Sequence, residues 1–140
     1  MADTDTDYEL PLDDGSPPEP GKIRPLPMKV AVRNGWTVLR LQEPSLMDVA
    51  VIEALHQRVR DLIADGKTQL VLDFKKVQYI SSSMVGVLVA AQQEVQQAGG
   101  KLILSTLNER LVELLKLTRL ESMFTVAPSA RDALKSVGAA

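Results

Sequence analysis

From Gln69 onward, short apolar runs and amphipathic runs follow one another in turn. Gln69-Leu70-Val71-Leu72-Asp73-Phe74 is short, β-prone and apolar enough for a central strand. The residues from about Ser82 to Gln97 read as a helix, which Gly99-Gly100 stops, and Lys101 to Ser105 reads as the next strand. Leu107 to Leu117 is expected to be helical, Phe124-Thr125-Val126 a last strand, and Ser129 to Val137 a closing helix capped by Ser129. Strands joined through helices run parallel, because a crossover of that length returns the chain to the same end of the sheet.

The segment before this alternation behaves differently. Lys29 to Arg33 and Trp36 to Leu41 are β-rich runs separated by Asn34-Gly35, the strongest short hairpin signal, since a type I′ turn needs positive φ at both central residues. Between Asp48 and Ala64, Ile52, Leu55, Val59, Leu62 and Ile63 recur at helical spacing, with Asp48 placed to cap the start and Gly66 the end. The expectation is an α/β fold with a mixed sheet of about five strands, the first antiparallel and the rest parallel, covered by about four helices.

Residues 1–27 form a separate unit in composition. They hold seven acids against two bases, a net −5, together with six of the eight prolines, and leave +3 for residues 28–140. A segment so poor in apolar residues does not bury enough surface to offset its ordering entropy, so it is expected to be an acidic, proline-rich disordered tail. Two roles stay open for it, a solvated extension or an extended docking arm. The folded part is assigned to residues 28–140.

Several functions are excluded or disfavoured by what the chain does not contain. With no Cys, it has no disulfides, thiolate nucleophiles or Cys-based metal sites, which suits a reducing compartment. The single His56 lies at the edge of a helical apolar face without a second ligand in register, so it is expected to be packed or at the surface, and no metal or cofactor is expected. No run approaches the ~18 apolar residues of a membrane span and the acidic N-terminus does not resemble a secretory signal, so a cytoplasmic location without membrane insertion is expected. No basic stripe with interleaved aromatics argues for nucleic-acid binding.

The segment that could carry chemistry is Lys75 to Gly86. In open α/β sheets, ligands and partners gather beyond the carboxyl ends of the strands, where this loop sits, and Ser81-Ser82-Ser83 opens the helix that follows. One serine is enough to cap a helix by accepting a bond from a free first-turn N–H. The alternative use of such a turn is phosphorylation. A phosphoserine at a helix N-terminus gains about 0.3–1 kcal/mol from the dipole and the free donors. It also places about −1.5 to −2 charge on a surface that a partner requires to be neutral.

The stretch Val71-Leu72-Asp73-Phe74-Lys75-Lys76-Val77-Gln78-Tyr79-Ile80-Ser81-Ser82-Ser83-Met84-Val85-Gly86-Val87-Leu88 resembles the signature of STAS domains, an aliphatic strand with an Asp leading to a D-S-S-G-x-G turn. Gly99-Gly100-Lys101-Leu102-Ile103-Leu104, Leu114 to Leu120, Met123-Phe124-Thr125-Val126 and Ala133-Leu134 are similar to that family's later elements. The resemblance covers residues 28 to about 138. It implies a protein-binding module like the single-domain anti-sigma factor antagonists. Such proteins bind an anti-sigma factor that is also an ATPase-fold serine kinase while unphosphorylated, and are released once it phosphorylates a serine in the turn. A serine phosphatase is a further candidate partner.

Carried over by position, the phosphoacceptor is Ser82, and Ser81, Ser83, Met84 and Gly86 are the partner-binding residues of the turn. Ser81 stands where the motif has Asp, and Met84 where it has its first Gly. Met84 is either buried, the commoner fate of methionine, or an adaptable apolar contact.

Two other classes fit the sequence less well. A phosphoaspartate receiver would need an acidic pair after its first strand and a Lys near its last, and neither is present. No phosphate loop, no serine with a plausible base and no spaced carboxylate pair is recognisable, so the chain is expected not to be an enzyme, and Asp73 is expected to cap or pair locally. The remaining alternative is a STAS scaffold that is never phosphorylated, or a subunit of a larger sensory or transport complex.

Overall fold

A computed structural model describes residues 28–139. The expected tail, residues 1–27, lies outside the described residues.

The hairpin forms as its turn chemistry requires. Strand β1 (Met28–Arg33) pairs antiparallel with β2 (Trp36–Leu41), and the two turn residues, Asn34 and Gly35, take φ of 50° and 87°. The chain then passes through a two-residue strand β3 (Ser45–Leu46) into helix α1 (Val49–Ala64), whose N-cap Asp48 accepts a hydrogen bond from the Ala50 N–H. Strand β4 (Gln69–Asp73) follows, then a second two-residue strand β5 (Tyr79–Ile80) and helix α2 (Ser82–Gln97). Strand β6 (Lys101–Ser105), helix α3 (Glu109–Leu117), a 3₁₀ turn (Glu121–Met123), strand β7 (Thr125–Ala127) and helix α4 (Ala130–Ser136) complete the described chain.

The main sheet has the order β1-β2-β4-β6-β7, with β1 antiparallel and the other pairs parallel. Strand side chains alternate between its two faces. Leu39, Leu41, Leu70, Leu72, Leu102 and Leu104 belong to one core cluster with Ile52, Leu55, Val59, Leu88, Val95, Leu111 and Leu115 from α1, α2 and α3. Val38, Val71 and Ile103 belong to a second cluster with Trp36, Ala127 and, from α4, Ala133 and Leu134. The central strands are therefore buried on both sides, which is why they read as nearly continuous apolar runs.

Three boundaries differ from expectation. Helix α3 starts at Glu109 because Asn108, not Leu107, is the residue whose side chain accepts the Leu111 N–H and ends the extended backbone. The last strand is shifted to Thr125–Ala127 by its register against β6, where Ser105 pairs with Ala127, while the preceding residues turn as a 3₁₀ helix. The segment 75–81 is not wholly a loop: Tyr79–Ile80 pairs parallel with Ser45–Leu46 in a separate two-stranded sheet. Strands of two residues have no period to detect, and this pair exists only because Gln78 and Tyr79 donate to the Pro44 carbonyl and Ser81 to that of Leu46.

Candidate functional site

Parallel strands β2, β4 and β6 end on the same side of the sheet, and the serine turn lies there between β5 and α2. Its position is over-determined from several directions. Asp73, the last residue of β4, has a side chain only 2 % exposed; one oxygen accepts from Arg40 Nε at 2.9 Å and the other from the Lys75 backbone N–H at 3.1 Å. The aspartate thus pairs with the neighbouring strand and starts the turn out of β4, in agreement with its expected local role. Asn108 caps α3 with its carbonyl oxygen while its amide donates to Val77 and Gln78 carbonyls, at 3.4 and 3.3 Å. Lys76 Nζ donates to Gln42 Oε1 at 2.9 Å. The loop entering the serine turn is tied to β2, β3 and α3 together.

Within the turn the three serines differ. Ser81 is the N-cap of α2 in extended backbone conformation, and its hydroxyl oxygen accepts the Met84 N–H at 3.1 Å. That accounts for one serine by capping. Ser82 and Ser83 occupy the first two helical positions, both exposed, and among the described residues neither hydroxyl has a hydrogen-bond partner. Their backbone N–H groups belong to the first turn, which has no intrahelical carbonyl to meet. The local field there favours an anion.

Met84 is 0 % exposed and belongs to the main core cluster, in helical register with Leu88 and Val95. Of the two roles open to it, the structure gives the buried one. Its side chain points inward because the third helical position of α2 begins the stripe that faces the sheet.

Gly86 faces the other way. It is exposed, and a Cβ built there would meet nothing within 4 Å, so packing within the molecule does not call for glycine. It sits three and four residues after Ser83 and Ser82, and helical side chains lean toward the N-terminus, so any side chain at 86 would stand over the two free hydroxyls. Gly86→Ala is expected to stabilise the fold by about 0.5–1 kcal/mol through helix propensity. An upward shift of the urea midpoint checks this, and a downward shift would mean that the helix surface is already filled at this point.

Beside the turn runs a groove of about 530 Å³ bordered by Met47, Tyr79, Ile80, Arg110, Leu114 and Leu117, with Glu109 and Glu113 also lining it. Leu117 is 73 % exposed, Met47 55 % and Tyr79 43 %, and the Arg110 guanidinium lies 4.4 Å from the centre of the Tyr79 ring. The sequence assigns none of these residues to a binding surface, although Tyr79, Ile80, Leu114 and Leu117 fall in stretches that carry the family resemblance. The only available signal was Leu117, an apolar residue at a helix end beside Lys116 and Thr118, and that pattern has no meaning until β5 is seen opposite.

His56 is half-buried between α1 and α2, its Nε2 2.9 Å from Glu94 Oε1, while Arg60 Nε donates to Glu94 Oε2 at 3.2 Å. It joins two helices, away from the turn. Among the described residues no three His, Asp or Glu side chains converge as metal ligands, and no helix is long and apolar enough to cross a membrane.

Solved structures share this architecture. A candidate anti-sigma factor antagonist from Thermotoga maritima superposes with a TM-score of 0.72 at 20 % identity, over 79 % of this chain and 94 % of its own. The Bacillus cell fate determinant SpoIIAA in its phosphorylated form gives 0.62 at 20 % identity, over 79 % of this chain and 98 % of its own. An anti-sigma factor antagonist from Mycobacterium paratuberculosis gives 0.65 at 24 % identity, over 79 % and 92 %. At these identities the likeness concerns the fold. The family profile described as the STAS domain matches residues 27–133, which takes in every strand, helices α1 to α3 and the serine turn, and the chain therefore belongs to the STAS domain family.

Proposed function

We propose that this protein is a partner-binding switch of the anti-sigma factor antagonist type, docking through the serine turn in its unphosphorylated form and released when Ser82 is phosphorylated. The partner in this reading is an ATPase-fold anti-sigma factor with serine kinase activity, with a serine phosphatase to reverse the modification, and the setting is cytoplasmic transcription control. The protein itself catalyses nothing in this scheme.

The observation that carries the reading is the division of labour in the turn. Ser81 is consumed by the cap, whereas the Ser82 hydroxyl is exposed, unpartnered among the described residues, and set at the positive end of a 16-residue helix. Gly86 keeps the surface over it open. A kinase can reach that hydroxyl, and a docked partner would have to desolvate whatever stands there. Ser83 shares the exposed surface and serves as a contact. Ser81 contributes by holding the helix start, and a carboxylate in its place is not needed for that.

The expected result with ATP and the cognate kinase is addition of one phosphate, located at Ser82 by mass spectrometry and absent in Ser82→Ala. Ser82→Ala should keep partner affinity within a few-fold, while Ser82→Asp should weaken it at least tenfold, about 1.4 kcal/mol, because an unpaired charge is brought into a docked surface. Phosphate on another segment, or an Asp variant that binds as tightly as the parent, would leave a phosphate-independent scaffold as the function.

A further inference from the structure

At the end of the sheet opposite the serine turn, a second cleft of about 250 Å³ lies between the hairpin and the last turns of α1. Val30, Val32 and Leu62 give it an apolar wall, and Thr37 also lines it. Thr37 is the second residue of β2, on the sheet face of Leu39 and Leu41, and is only 1 % exposed. Its hydroxyl has no hydrogen-bond partner among the described residues. A hydroxyl buried without a partner costs stability, and valine would fill the same space. The charges around the cleft are equally unsettled. Asp61 and Asp65 lie four residues apart at the carbonyl end of α1, whose last turn holds no basic residue. That is the negative end of the helix dipole, where acids are repelled and a cation is favoured. Asp61 accepts the Gln57 amide at 2.9 Å, while Asp65 forms no ion pair among the described residues. Nor do Arg58 and Lys67, the two bases on the lining.

We propose that this cleft binds a small free amino acid with an apolar side chain. Its ammonium group is held by Asp61 and Asp65 at the carbonyl end of α1, and its side chain lies on Val30, Val32 and Leu62. Its carboxylate faces Lys67 and the Thr37 hydroxyl. These two lie near each other in the fold, since Thr37 pairs with Leu70 at the start of β4, three residues after Lys67. Three observations favour this class over others. The volume suits a molecule smaller than a nucleotide, with room for about eight waters at ~30 Å³ each. Two acids and two bases sum to zero, which matches a ligand bearing one charge of each sign and not a bare cation or anion. The buried hydroxyl beside an apolar wall supplies what sites for small ligands use to fix orientation, a single polar group among hydrophobic ones. The cleft is remote from Ser82, and its occupancy does not depend on modification of that residue.

Titration of the isotope-labelled full-length protein with L-leucine, at constant pH and ionic strength, tests this by amide NMR. The expected result is saturable shifts centred on Val32, Thr37, Leu62, Asp65 and Lys67. Thr37→Val, which keeps the shape of the side chain, should raise Kd about fivefold through the lost hydrogen bond. Asp65→Asn, at an exposed position that the fold tolerates, should raise it about tenfold through the lost charge. Two analogues separate the charges of the ligand. 3-Methylbutylamine lacks the carboxylate and 4-methylpentanoate lacks the ammonium, and each should bind about tenfold more weakly than leucine. Shifts that do not saturate, or that saturate on another surface, overturn the proposal. So does an analogue that binds as tightly as leucine, or an affinity indifferent to either substitution.

Discussion

Replacing Met84 by glycine, the residue the family motif carries at that position, is expected to destabilise this protein by about 4 kcal/mol. Truncating a fully buried methionine costs ~2–5 kcal/mol, and a glycine inside a helix adds ~1 kcal/mol over alanine. Met84 is 0 % exposed and sits in the cluster with Leu46, Phe74 and Leu88, so the full truncation applies. Stability of small domains is ~5–15 kcal/mol, and a loss of this size lowers the thermal midpoint by roughly 15 °C at ~4 °C per kcal/mol. Chemical denaturation of Met84→Gly beside the parent measures it. A loss below about 1 kcal/mol would mean that the neighbouring side chains close the gap, which is the known route by which such costs shrink. The cap of α2 depends on Ser81 and the backbone N–H of residue 84, both retained, so Ser82 should stay where it is.

The second large effect is expected at Gly100. A Cβ there would lie 1.8 Å from the Thr68 carbonyl oxygen and 2.5 Å from the Thr68 Cβ. These are the residues where the chain enters β4 and leaves α2, and they are held by Lys101 N–H to Thr68 O at 2.9 Å and Gly100 N–H to Val95 O at 2.9 Å. Backbone on both sides has to separate before alanine fits. Overpacking of this kind costs about 3 kcal/mol, the upper part of the usual range, because no flexible side chain can absorb the clash. Gly99→Ala makes the control. Gly99 has φ +81° and nothing within 4 Å of a built Cβ, so its cost is conformational only, about 1 kcal/mol. Equal losses at the two positions in equilibrium unfolding would contradict the close approach at Thr68.

The two glycines also show how much a sequence can convey. Gly99-Gly100 reads plainly as a helix stop, and the carbonyls of Val95 and Gln96 do accept the two N–H groups that end α2. That the second glycine is needed for contact with the entrance to β4 is invisible, since Thr68 is more than thirty residues earlier. The same division holds at the serine turn. Three serines at a helix start are legible as a cap with two hydroxyls to spare, because capping is local chemistry. Which serine caps was settled by the approach of β5, anchored through Ser81 N–H to the Leu46 carbonyl. Asp73 was legible as a local partner, but its pairing with Arg40 depends on the register between β2 and β4.

The type and order of the five main-sheet strands and the four helices, the antiparallel first strand and the parallel remainder were determined by sequence alone, because hydrophobic period, turn chemistry and crossover length are all properties of neighbouring residues. The inward direction of Met84, the open surface over Ser82 and Ser83 beside Gly86, the two-residue ladder between β3 and β5, and the groove between Tyr79 and Leu117 were decided by tertiary structure. Each depends on which segments distant in sequence come to lie side by side. A two-residue strand has no period, and a groove has no sequence of its own.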